Sequence, residues 1–127
     1  MAFFSIMLLA ALQILAVMFS LYMFYWWFDI PMHFLGGFFV GILSLWSFFF
    51  AINYHGSPVT PLKVLVVGVL GALLVGLVWE LFEYESGLTW NAIGSYQLDT
   101  IKDLTMDVLG GYTAYVYFVL KGYQKNI

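Results

Sequence analysis

His33, Glu80, Glu83, Asp103 and Asp107 are the side chains of this sequence best suited to chemistry, with Asp29 and Asp99 beside them. One imidazole with several carboxylates is a donor set for a divalent ion, and Mg²⁺, Mn²⁺, Zn²⁺ and iron all suit it. The spacings Asp29-x-x-x-His33, Glu80-x-x-Glu83 and Asp99-x-x-x-Asp103-x-x-x-Asp107 place each group on one helix face, because residues three or four apart are neighbours there. A bound ion would activate water or polarise a phosphoryl or carbonyl oxygen, with Glu80 or Glu83 as general base. Simpler roles compete. Asp29, two residues before Pro31, suits an N-cap, and Asp99 or Thr100 suits another, with Asp103 reaching back as in a capping box. His33 suits a hydrogen-bonded packing histidine, and Glu85 a solvated surface charge. Glu80 and Asp107 resist such readings best, because they lie deepest in apolar sequence.

The elements that carry these groups must be membrane helices. Of 127 residues, 64% are hydrophobic, 21% aromatic and 9% charged, against about 25% charged in a soluble domain. The sequence predicts an all-α, polytopic membrane protein: a single transmembrane domain over residues 1–127, a four-transmembrane-helix bundle with spans at roughly 3–26, 32–54, 63–85 and 100–121. The first span lacks a basic n-region and a small-residue cleavage site, and reads as an uncleaved helix. His55 and Asn53 read as loop residues, and Ser86 to Leu98 as an interfacial loop or short surface helix. The fourth span reaches the required length only by including Asp103 and Asp107; a re-entrant or interfacial helix is the alternative. The four basic residues are all lysines. Lys63, Lys121 and Lys125 fall at one face, Lys102 at the other, so the positive-inside bias makes both termini cytoplasmic. All seven acids then fall at the outer end.

Small residues sharpen this convergence. The stripes Asp29-His33-Gly37-Gly41, Gly68-Ala72-Gly76-Glu80 and Asp99-Asp103-Asp107-Gly111 each join polar groups to residues that let helices approach closely. The order is inverted in the middle stripe, as an antiparallel neighbour requires. Three helices thus aim their acids and one imidazole into one pocket, with Asp29 and Asp99 at its rim. The remaining chemistry is sparse. Without cysteine there is no thiolate site, Ser5, Ser20, Ser44 and Ser47 form no nucleophile constellation, and a net charge of −3 argues against nucleic acid.

The strings Phe28-Asp29-x-x-x-His33-Phe34-Leu35-Gly36-Gly37, Trp79-Glu80-Leu81-Phe82-Glu83 and Asp99-Thr100-x-x-Asp103-Leu104-x-x-Asp107-x-x-Gly110 resemble those of YjdF-like bacterial membrane proteins and, more distantly, of VanZ-like proteins. The resemblance covers about residues 28–114 and implies the helical architecture and the polar site, but no reaction. Three functions fit: a metal-dependent hydrolase or transferase on a lipid-linked substrate; cation or proton transport or sensing; and an accessory subunit or assembly factor of a larger membrane complex. Membrane lipids are the expected partners, with a larger complex or a homo-oligomer as further ones. Lys102 alone is available to hold a phosphate, which counts against phosphoryl chemistry.

Overall fold

A computed structural model describes residues 2–51, 59–87 and 94–123, with the side chains of 2, 3, 5 and 51 left aside. The elements are α1 (Ala2–Met18), α2 (Leu21–Phe24), α3 (Asp29–Trp46, continued by a π-helical turn Ser47–Ala51), α4 (Pro61–Ser86) and α5 (Tyr96–Leu120). No strand occurs among the described residues. Asn53 and His55, the end of the expected second span, and residues 88–93 of the expected interfacial loop lie outside the described residues.

Among the described residues, two helical segments are long and apolar enough to cross a membrane, Asp29–Phe50 and Pro61–Ser86. The other two expected spans differ for physical reasons. The first helix stops at Met18 instead of running to residue 26. Ser20 takes a left-handed conformation (φ 51°, ψ 38°), which ends the helix, and the Tyr22 hydroxyl folds back to donate to Gln13 Oε1 at 2.6 Å. At 1.5 Å per residue α1 is about 26 Å long, a little short of a hydrocarbon core of about 30 Å. α5 is one continuous helix of 25 residues, long enough to cross but with Asp99, Lys102, Asp103 and Asp107 in its first half.

Helix starts also move. α3 begins at Asp29 rather than 32: Phe28 is the N-cap, and Asp29 belongs to the first turn instead of capping it. Thr60 caps α4 by accepting from the Lys63 amide, with Pro61 in the first turn. α5 begins at Tyr96, a turn before the expected position, because Ser95 is the cap and accepts from the Leu98 amide. Asp99 and Asp103 are thereby released from capping.

α3, α4 and α5 pack against one another, and α1 lies against α3. The buried residues of α3 are His33, Gly37, Gly41 and Leu45; those of α4 are Val64, Gly68, Ala72, Gly76 and Glu80. α5 buries Asp103, Asp107, Gly110, Gly111, Ala114 and Phe118. Glycine sets the helix separation. A Cβ on Gly37 would run into the Asp107 backbone, and one on Gly110 into the Phe34 carbonyl. A Cβ on Gly111 would lie 2.8 Å from the Ala72 methyl and 2.9 Å from the Gly68 carbonyl oxygen. Away from the polar end, Leu45, Phe49, Val64, Ala114 and Phe118 form the apolar core.

Candidate functional site

α3 and α5 run in the same direction and α4 against them, so the first turns of α3 and α5 meet the last turns of α4. His33 is at the centre and 7% exposed. Its Nδ1 lies 3.3 Å from Asp107 Oδ2, and its Nε2 lies 3.5 Å from Asp29 Oδ1 and 3.9 Å from Glu80 Oε1. The ring therefore has two distinct sides. Nδ1 faces Asp107 and Nε2 faces Asp29 and Glu80; with the proton on Nδ1, donated to Asp107, the ring presents Nε2 as a lone-pair donor. Asp107 is itself held by packing: its Oδ2 is where a Cβ on Gly76 would sit.

Glu80 is 4% exposed. Its Oε2 accepts from the Thr100 hydroxyl at 2.9 Å, and its backbone oxygen accepts from the Tyr96 hydroxyl at 3.0 Å. Oε1 is buried without a hydrogen-bond partner. An orphaned carboxylate oxygen in such surroundings is unfavourable by a few kcal/mol. One turn on, Glu83 is half-buried, and His33, Glu80 and Glu83 each offer a donor atom within 4.8 Å of the others. A second group of that compactness is Asp29, His33 and Asp103.

A cation of the protein already serves this second group. Lys102 Nζ lies 2.6 Å from Asp99 Oδ1, 3.2 Å from Asp103 Oδ1 and 3.7 Å from Asp29 Oδ2. The Asp103 contact has ion-pair distance without hydrogen-bond alignment, so Asp103 Oδ1 also has no hydrogen-bond partner. Lys102→Met would leave these carboxylates uncompensated. With the lysine side chain 25% exposed, the expected loss is about 2 kcal/mol, below the roughly 3–5 of a fully buried pair. Lys121→Met, at the far end of α5, is expected to change stability by under about 0.5 kcal/mol. Thermal melting of the two variants in detergent checks this.

The residues expected as ligands thus occupy three situations. His33, Glu80 and Glu83 converge on one point; Asp103 joins His33 and Asp29 beside Lys102; Asp107 stands on the Nδ1 side of His33, outside both donor groups. Of the two expected rim residues, Asp99 pairs with Lys102, and Asp29 approaches His33 directly. Glu85 is exposed. Tyr96 was not expected at the site, and Thr100 was expected only as a cap; both instead bond to Glu80. The signal was present: 96, 100, 103 and 107 recur at helical spacing on one face of α5.

The site borders a cleft of about 360 Å³ between α1, α3 and α4, and a smaller one of about 260 Å³ that shares Gln13, Tyr22, Asp29, Trp79 and Glu83 with it.

A family described as "Predicted membrane protein (DUF2238)" matches residues 1–123. The chain belongs to that family. The match extends through α1 as well as the three helices that carry the site, and assigns a membrane protein without an activity. No curated protein and no solved structure matches this DUF2238 chain.

Proposed function

We propose that this protein is a small integral membrane protein that binds a divalent cation through His33 Nε2, Glu80 and Glu83, with Asp107 orienting the imidazole from its other side. The observation that carries this reading is Glu80 Oε1, a buried carboxylate oxygen without a hydrogen-bond partner, 3.9 Å from His33 Nε2. A cation is the partner that such an oxygen lacks, and the carboxylate–histidine arrangement behind it is how proteins orient ligating histidines. Oxygen donors with one imidazole suit Mg²⁺, Mn²⁺, Zn²⁺ or iron. Asp29, Asp99 and Asp103 belong to the Lys102 side of the cluster and complete the polar lining.

In this reading α1, α3, α4 and α5 all cross the membrane, with Lys63 and Lys121 on the cytoplasmic side and the cation site opening outward. Two features let α1 and α5 cross: the turn at Ser20 and the aromatic residues after it extend α1 toward the interface, and the charges of α5 face α3 and α4 rather than lipid. Single cysteines at Ser57 and Gln97 test the topology. Labelling from opposite sides of sealed membranes is expected, and labelling from one side would exclude the four-span arrangement.

The chemistry that such an ion supplies is polarisation of a bound oxygen or activation of water, with the oxygen of half-buried Glu83 that is not given to the ion as the base nearest solvent. That makes a hydrolase or transferase acting at the membrane surface the enzymatic form of the proposal. The YjdF-like motifs are consistent with the same site. Elemental analysis of protein purified without chelators is the direct test: a stoichiometric divalent ion is expected, and a metal-free protein that takes up none on addition would overturn it.

A further inference from the structure

The cleft beside the cation site has two parts of opposite character. Its deep limb is walled by Ile6 and Leu9 of α1, Met32 and Val40 of α3 and Val75 of α4, with Gly36 on its floor. Its mouth is where Tyr22, Asp29, Trp79 and Glu83 meet, and the smaller cleft continues from the same residues toward Asp99. The volume of about 360 Å³ is within the range of small-molecule sites, about 300–1,000 Å³. An apolar limb of this kind does not hold ordered water, and between membrane helices the available apolar material is a hydrocarbon chain.

The mouth selects the head. The polar end holds six carboxylates (Asp29, Glu80, Glu83, Asp99, Asp103, Asp107) and one lysine, Lys102, so even with a divalent ion bound the cluster keeps a formal charge of about −3, which repels an anionic head and attracts a cationic one. Lys102 is engaged with Asp29, Asp99 and Asp103, and Glu83 lines both clefts, so a carboxylate that gives one oxygen to the divalent ion still faces the cleft with the other. Tyr22 and Trp79 add two aromatic rings beside the acids, the combination that holds ammonium groups by cation–π attraction.

We infer that this cleft binds an ammonium-headed membrane phospholipid, with one acyl chain between α1, α3 and α4 and the ammonium at Asp29, Glu83, Tyr22 and Trp79. The inference stands with or without the divalent ion, because the mouth is acidic in both states.

Gly36 provides the decisive variant. A Cβ at this position meets nothing within 4 Å, so Gly36→Leu fills the limb without pushing helices apart. Native mass spectrometry of the detergent-purified protein, titrated with dioleoylphosphatidylethanolamine or dioleoylphosphatidylglycerol, is the measurement. The parent is expected to retain the ethanolamine lipid at least about tenfold better than the glycerol lipid, the size of one modest charge–charge discrimination. Gly36→Leu is expected to lose that retention with melting temperature and metal content unchanged. Ala10→Phe, which enters the same limb from α1, supplies the test if Gly36→Leu does not fold. Equal retention of the two lipids by the parent would overturn the head assignment, and parental retention by a folded cleft-filling variant would overturn the cleft. A metal-free parent that still prefers the ethanolamine lipid would refute the cation site and leave this inference intact.

Discussion

Gly37→Leu is expected to destabilise the protein severely, while the same substitution at the neighbouring Gly36 leaves it as stable as before. The two glycines follow one another in α3, have the same composition around them and would score alike on any hydropathy scale. Their surroundings differ completely. A Cβ on Gly37 would overlap the carbonyl oxygen and Cα of Asp107, and a backbone cannot rotate aside as a side chain can. A Cβ on Gly36 points into open space. Overpacking in a well-filled interior costs typically about 1–3 kcal/mol, and an obstructing helix backbone puts Gly37→Leu at or above the upper end of that range. For Gly36→Leu, the gain from replacing glycine in a helix, up to about 1 kcal/mol, offsets what little crowding occurs. Phe48, 38% exposed at the other end of α3, supplies a reference: Phe48→Leu is expected to stay within about 1 kcal/mol of the parent. Thermal unfolding in detergent ranks the three. Equal stability of Gly37→Leu and Phe48→Leu would mean that α3 and α5 do not approach as closely as the glycine seam requires.

Much of this seam was legible before any coordinates. The stripes His33-Gly37-Gly41 and Gly68-Ala72-Gly76-Glu80 are runs of the buried residues of α3 and α4, because small residues at a four-residue period have few uses in a membrane helix other than close contact. The part of the α5 stripe from Asp103 to Gly111 is buried as well, whereas Asp99 is only half-buried. What the sequence concealed was local and directional. The end of α1 at Met18 depends on a left-handed Ser20, and no glycine or proline marks it in a run of apolar and aromatic residues. The start of α5 depends on Ser95 rather than Asp99 as the cap, a choice between two good capping residues one turn apart. Periodicity told that Asp107 and Glu80 share the site, yet could not tell that one lies on the Nδ1 side of His33 and the other on the Nε2 side. That distinction depends on the close approach of Asp107 to Gly37 and Gly76, a contact between helices that periodicity does not encode. Lys102 was visible only as a lone positive charge; its position among Asp29, Asp99 and Asp103 requires the register of α3 against α5.

The same distinction separates the effects expected at the cation site. Glu80→Gln is nearly isosteric: the amide oxygen still accepts from Thr100, and the backbone carbonyl still accepts from Tyr96, the two bonds that hold α4 to α5 here. What it removes is the charge at the oxygen that has no hydrogen-bond partner. With the amide oxygen kept on Thr100, the NH2 group takes the place of Oε1 and has no lone pair to give a cation, so this variant is expected to lose stoichiometric metal while keeping its fold in the metal-free state. Asp107→Asn acts through His33 instead. Asparagine can still accept from Nδ1–H, but it no longer supplies the negative charge that raises the basicity of Nε2, and changes of this kind cost roughly 10–100-fold in metal affinity. Asp107→Asn is therefore expected to bind metal at saturation with a dissociation constant weakened by that factor. The ordering is specific to Asp107 as an orienting group: were it a direct ligand, Asp107→Asn and Glu80→Gln would lose metal together. Titration of both variants with Zn²⁺ and Mn²⁺, read by elemental analysis after gel filtration, separates the cases. If the parent itself is metal-free and takes up neither ion, the buried acids must be held neutral by protons. Glu80→Gln would then be more stable than the parent at neutral pH, since an amide is neutral without taking up a proton on folding.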